Sequence, residues 1–184
     1  MELREKINLV RQIAQPATGL PKSTLLNLMV GSVVRMDSSL FMVEEAFNYT
    51  EANKHGDKKK FTWKEYMLRD LNDFSIRFLE VEDDDGLHAY LTGDKIAQGR
   101  LSETPSKNTK TLTVQGVSAG DFYLEEFCHA IFSGKKGDEQ VLMLDYEADN
   151  GELLGVEVWE GGNCEAFLYT EVKTKHIEVI AHAE

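Results

Sequence analysis

The chain has 184 residues, 42% hydrophobic and 28% charged, with 3 prolines and no low-complexity tract, which supports a sizeable buried core and excludes disordered, collagen-like and fibrous classes. Its 32 acidic and 20 basic side chains give a net charge of −12, a field that repels nucleic-acid phosphates and anionic lipid headgroups. The imbalance is uneven, +2 over residues 1–60 and −14 over residues 61–184, and no nucleic-acid partner is expected.

The opening MELREKINLVRQ interleaves charges with Leu3, Ile7 and Val10, so it does not read as an export signal. Leu3, Ile7, Val10 and Ala14 recur at helical spacing until Pro16 forbids continuation, and an amphipathic helix is expected over the first fifteen residues, covering a sheet face or edge. Residues 1–20 are read as this helix and its connector. The apolar neighbourhood Leu25–Val34 is broken by Asn27, Gly31 and Ser32, and falls far short of the ~20 residues that cross a bilayer, so no membrane span is expected. Two cysteines, Cys128 and Cys164, are too few for a disulfide framework; both are read as reduced, and the location as cytoplasmic.

From residue 30 onward the apolar period is close to two, as at Phe41/Val43, Leu79/Val81 and Leu154/Val156/Val158, and strands are expected near 32–37, 40–50, 61–70, 75–83 and 87–92, then 111–117, 121–133, 139–148, 152–160, 164–171 and 176–181. Asp85-Gly86, Asn150-Gly151 and Gly161-Gly162 supply tight hairpin turns, so the strands should follow one another as antiparallel meanders. FMVEE at Phe41–Glu45 is matched by FYLEE at Phe122–Glu126. Met67 and Leu68 are matched by Met143 and Leu144, then Leu79, Val81 and Glu82 by Leu154, Val156 and Glu157, and Ala89-Tyr90-Leu91 by Ala166-Phe167-Leu168. The expected fold is therefore mainly β: two tandem, pseudo-repeated, meander or barrel-like units behind the helix. The first β repeat is placed at 21–98, a polar linker at 99–110 and the second repeat at 111–184.

Gly31-Ser-Val-Val before FMVEE, Trp63-Lys-Glu-Tyr66-Met-Leu68, LEVEDDDG, VEVWEGGNCEAF at 156–167 and the closing HIEVI at 176–180 together resemble a bacterial family, domain of unknown function 4178, from about Leu25 to the C-terminus. The resemblance implies no activity and carries no catalytic residue. The second copy departs from it in having Glu139 where Trp63 would align.

Each chemical constellation has a bland counterpart. His55, His88, His129, His176 and His182 lack the three-to-five spacing of zinc sites, and Cys128-His129 are strand neighbours that project to opposite faces. Glu82-Asp83-Asp84-Asp85-Gly86 fails the EF-hand register, because Val81 and Thr92 would stand where Asp and a bidentate Glu are required. No metal, cofactor or catalytic residue is expected. The carboxylates Glu44, Glu45, Glu125 and Glu126 recur in both copies and are the expected partner-binding residues. Lys58, Lys59 and Lys60 in one hairpin loop, with Lys135 and Lys136 in the other, are candidate anion-binding loops. Trp63 and Trp159 read as half-buried strand residues. The expected function is a non-catalytic cytoplasmic module that binds another protein, with a homo-oligomer left open. The alternatives are a β-barrel carrier of a small molecule, marked by a cavity in or between the β units, and a carboxylate-based hydrolase. The latter would show two facing carboxylates, one with a raised pKa.

Overall fold

The structure, a computed structural model, describes residues 14–16, 22–134 and 137–183. The strands are β1 (Ala14–Pro16), β2 (Val33–Met36), β3 (Ser39–Ala52), β4 (Lys58–Asp70), β5 (Ile76–Asp83), β6 (Leu87–Ile96), β7 (Thr111–Thr113), β8 (Asp121–Gly134), β9 (Gly137–Glu147), β10 (Leu153–Trp159), β11 (Cys164–Glu171) and β12 (Ile177–Ala183). The fold is mainly β, one large antiparallel sheet in the hydrogen-bonded order β1-β12-β2-β3-β4-β5-β6-β11-β10-β9-β8-β7, with a further pairing of β3 to β8. Most of the predicted strands are present with ends shifted by no more than four residues. Residues 111–117 differ more: the strand stops at Thr113, and Val114 makes only an isolated bridge to Leu101.

The chain divides into two compact units that interleave along the sequence. The first takes residues up to Phe47, Trp63–Leu91 and Glu171 onward, and the second takes Asn48–Thr62 and Thr92–Thr170. These boundaries differ from the tandem division at 99–110. The long strands β3, β4, β6 and β11 each give one end to each unit, so the compact bodies are not consecutive stretches of chain.

In the first unit, alternation along β2, β3, β4 and β5 turns Val34, Phe41, Tyr66, Leu68, Leu79 and Val81 into one core, and Leu25 and Leu28 around the 3-10 helix Lys22–Asn27 join it. The buried Tyr66 hydroxyl accepts a bond from the Leu28 N–H at 3.2 Å, and burial raises its pKa to about 12. The β5–β6 hairpin turns at Asp85-Gly86, with φ of 51° and 142°, the positive values predicted for this pair. Of the expected N-terminal helix, residues 1–13 lie outside the described residues. At Ala14–Pro16 the backbone is instead a strand, paired with Ala181–Ala183. Three residues ending in proline can add to a sheet edge, where a missing N–H is tolerated.

On the other face of this unit Arg69 holds Glu44, Nε to Oε1 at 3.0 Å and Nη2 to Oε2 at 2.7 Å, and its Nη1 donates to the Phe74 carbonyl at 2.7 Å. The last bond fixes a turn in which Phe74 itself has φ 65°, an unusual value for an aromatic residue. Arg69→Met is expected to cost about 1–3 kcal/mol in urea unfolding, because it withdraws two charge-assisted bonds from a half-buried carboxylate. Arg69→Lys should recover only part, since an ammonium cannot reproduce the fork.

In the second unit Leu112, Phe122, Leu144, Tyr146, Leu154 and Val156 form the core. The segment expected as a linker packs here. Leu101, Pro105 and Thr109 are buried, and the Tyr146 hydroxyl donates to the Thr109 carbonyl at 3.1 Å. Leu154 stands opposite Leu168 and Tyr146, and Val156 opposite Ala166. In the first unit Leu79 stands opposite Leu91 and Tyr66, and Val81 opposite Ala89. Tyr66 thus stands to Leu79 in one ladder as Tyr146 stands to Leu154 in the other.

Candidate functional site in the second unit

The face of β9, β10 and β11 that turns away from the Leu144–Leu154 core carries the polar cluster. Along β10 the alternation that buries Leu154 and Val156 puts Gly155, Glu157 and Trp159 on this face, and β11 adds Glu165, Phe167 and Tyr169. Glu157 and Glu165 are directly opposed across β10 and β11. The Tyr49 hydroxyl, from β3, donates to Glu157 Oε1 at 3.2 Å. The Lys95 ammonium, from β6, lies 2.6 Å from Glu165 Oε1 and 5.6 Å from the centre of the Phe167 ring. Tyr169 donates to Asp145 Oδ1 at 3.2 Å, and a side chain at Gly155 would press on its ring, 3.3 Å from the nearest ring carbon. Tyr49 and Phe132 meet edge to face with centroids 5.3 Å apart, and Phe132 meets Trp159 at the same distance.

Glu157 is half-buried by surface area yet densely surrounded, and its carboxyl is pushed up to about 7. Burial is the largest cause and the opposed Glu165 the next, with the Tyr49 bond and Lys95 pulling the other way. Burial first, and then the same two glutamates, also raise the Cys164 thiol. Neither cysteine is in a disulfide. Glu157 is therefore an acid that holds its proton to near neutrality beside a carboxylate that has an ammonium partner.

The expected site residues fall in different places. Glu44 is engaged by Arg69, and Glu45 is half-buried with partners of its own. Lys58 is paired with Asp138 at 2.7 Å, where it lowers the Asp138 pKa, and Lys59 with Glu51 at 2.5 Å. These ion pairs compensate two of the proposed anion-binding charges. Lys60 is exposed, and Lys135 and Lys136 lie outside the described residues. Glu125 and Glu126 are exposed on β8, at a bulge between Leu124 and Glu126. Among the described residues no group of three His, Cys, Asp or Glu side chains is arranged to hold a metal, and no helix is long and apolar enough to cross a membrane. The acidic run ending at Gly86 is an exposed hairpin tip.

The model of the family described as "Domain of unknown function (DUF4178)" matches residues 29–173. The chain belongs to that family. The DUF4178 match takes in β2 to β11, and hence every residue of the polar cluster. No curated protein and no solved structure matches the chain. Sequence reasoning singled out Glu157 of this DUF4178 cluster only through its recurrence with Glu82. It missed Tyr49, Lys95, Asp145, Glu165 and Tyr169, whose alternation marks a polar face and nothing more.

Proposed function

We propose that this DUF4178 chain is a non-catalytic, cytoplasmic protein-binding module that engages a basic partner through the outward side chains of β8. The carrying observation is that Glu125 and Glu126 are both exposed, make no side-chain hydrogen bond or ion pair among the described residues, and lie between exposed Tyr123 and Phe127. The corresponding ladders, Leu79–Leu91 with Val81–Ala89 and Leu154–Leu168 with Val156–Ala166, support a duplicated origin. On this reading the first copy has committed its equivalent acid, Glu44, to Arg69 and left the binding surface to the second.

The test is differential capture. Proteins retained from native-cell lysate by the wild-type chain should be lost with Glu125→Lys/Glu126→Lys, and association of the recovered partner should slow about tenfold or more and weaken as salt rises. Each exposed substitution should shift stability by only about ±0.5 kcal/mol. Equal capture by a folded double variant would overturn the reading.

A second reading, a carboxylate-based hydrolase, draws support from the raised Glu157 carboxyl opposite Glu165. Against it, Tyr49 and Lys95 already engage the two carboxylates. It requires a turnover that Glu157→Gln abolishes.

A further inference from the structure

Alternation gives the sheet of the first unit a second face. Val34, Phe41, Val43, Tyr66, Leu68, Leu79 and Val81 turn to the core, so Leu40 and Met42 of β3, Met67 and Arg69 of β4, and Ile76 and Phe78 of β5 turn the other way. The register agrees. Arg69 stands opposite Ile76, Met67 opposite Phe78 and Arg35 opposite Leu40, while Arg69 reaches Glu44 from β4 to β3. This face is open: Leu40 and Ile76 are 36% and 43% exposed, Met42, Met67 and Phe78 are half-buried, and Phe74 in the adjoining turn is 36% exposed. Apolar side chains gathered on one sheet face mark a surface on which something docks.

The chain carries its own candidate occupant. Strand β1 lies at the end of this sheet, followed in hydrogen-bonded order by β12, β2, β3 and β4. Ala14 stands beside Ala183, Ala181 beside Val33 and Val33 beside Met42, so the chain that precedes Ala14 leaves the sheet edge near the Met42–Glu44 level of β3. Thirteen residues in a helix measure about 20 Å and neighbouring strands lie about 4.8 Å apart, so residues 1–13 are long enough to cross β12, β2, β3 and β4. Leu3, Ile7 and Val10 supply an apolar stripe at helical spacing. The charges also agree. The open face carries Glu44, Glu65, Glu80, Glu82 and Glu178 against Arg35 and Arg69, whereas residues 1–13 carry Arg4, Lys6 and Arg11 against Glu2 and Glu5. The same excess of acid disfavours a second copy of this face as the occupant.

We infer that residues 1–13 dock as an amphipathic helix across the open face of β2, β3 and β4, with Leu3, Ile7 and Val10 laid on Leu40, Met42 and Met67, as a cover that the chain supplies to itself. An isolated helix of this length is marginal in water, and burial of its stripe on the sheet is what stabilises it. The sheet in turn loses an apolar surface that would otherwise favour association. The match to the DUF4178 family begins at residue 29, so the cover is an addition to the family unit. It lies on the first unit, whereas Glu125 and Glu126 belong to the second, and the inference is independent of the protein-binding reading.

The test is magnetic resonance on the full chain with labelled methyl groups. Cross-relaxation should connect the Leu3, Ile7 and Val10 methyls with those of Leu40, Met42 and Met67 inside one molecule, and the carbon shifts of residues 2–12 should be helical. Leu3→Ser/Ile7→Ser/Val10→Ser should abolish both, move the Met42 and Met67 methyl signals, and raise the fluorescence of an apolar dye several-fold, while the amide signals of the second unit stay in place. Met67→Gln, which leaves residues 1–13 intact, should weaken the same contacts, and Asn8→Ser/Gln12→Ser should not. Coil shifts for residues 1–13 in the wild-type chain, with no cross-relaxation to this face, would overturn the inference. So would contacts seen only between differently labelled molecules, which make a second copy the occupant, or helicity that appears only with vesicles of anionic lipid, which makes the segment a membrane-surface element.

Discussion

Glu157→Gln is expected to make the protein more stable than wild type above pH 7 and to leave it unchanged near pH 4. The Glu157 carboxyl is raised from 4.5 to about 7 in the folded chain, with burial the larger cause and Glu165 the next. Between those two values the unfolded chain has released a proton that the folded chain keeps. Folding stability contributed by this group is therefore fully present below pH 4.5 and is lost as pH rises through 7. The full difference is about 3 kcal/mol by linkage. Glutamine keeps an oxygen for the Tyr49 hydroxyl while removing the charge that faces Glu165, so the variant should lack this pH dependence. Thermal unfolding at pH 8 should show Tm roughly 5–10 °C above wild type. Parallel pH profiles for the two proteins would mean that Glu157 is not held protonated by its surroundings.

Leu154→Ala should be the most damaging of the simple truncations beside this cluster. Leu154 is fully buried in the second unit, opposite Leu168 and Tyr146 and two positions from Val156 in the same core. Removing its branch loses transfer free energy and leaves a cavity that paired strands on both sides are poorly able to close, at a cost of about 2–5 kcal/mol. Urea unfolding should show a lowered midpoint with little change in slope. Because Leu154 and Glu157 project from opposite faces of β10, the Glu157 titration followed by carboxyl carbon resonances should persist in the folded fraction. A loss below about 1 kcal/mol would show that the site collapses around the smaller side chain.

The architecture class, most strand positions and much of the core could be read from residue order, because an antiparallel strand with one buried face writes its period of two into the sequence. Leu79, Val81, Leu154 and Val156 are fully or almost fully buried for that reason, and Asp85-Gly86 turns its hairpin because its positive φ is a local property. Family membership was legible too, in the short motifs around Phe41, Trp63 and Trp159. Alternation names two faces of a strand, however, and does not say which strand lies beside it. The pairings β3–β8 and β12–β2, and the adjacency of β6 and β11, join segments far apart in the chain, and they are decided by whole-sheet complementarity set against loop-closure entropy. Those pairings interleave the compact units, and they gather Tyr49, Lys95, Asp145, Glu157, Glu165 and Tyr169 from β3, β6, β9, β10 and β11 onto one face. The exposure of Glu125, Glu126 and Phe127 in succession likewise depends on a bulge, which exists only once β8 has β9 to be out of step with.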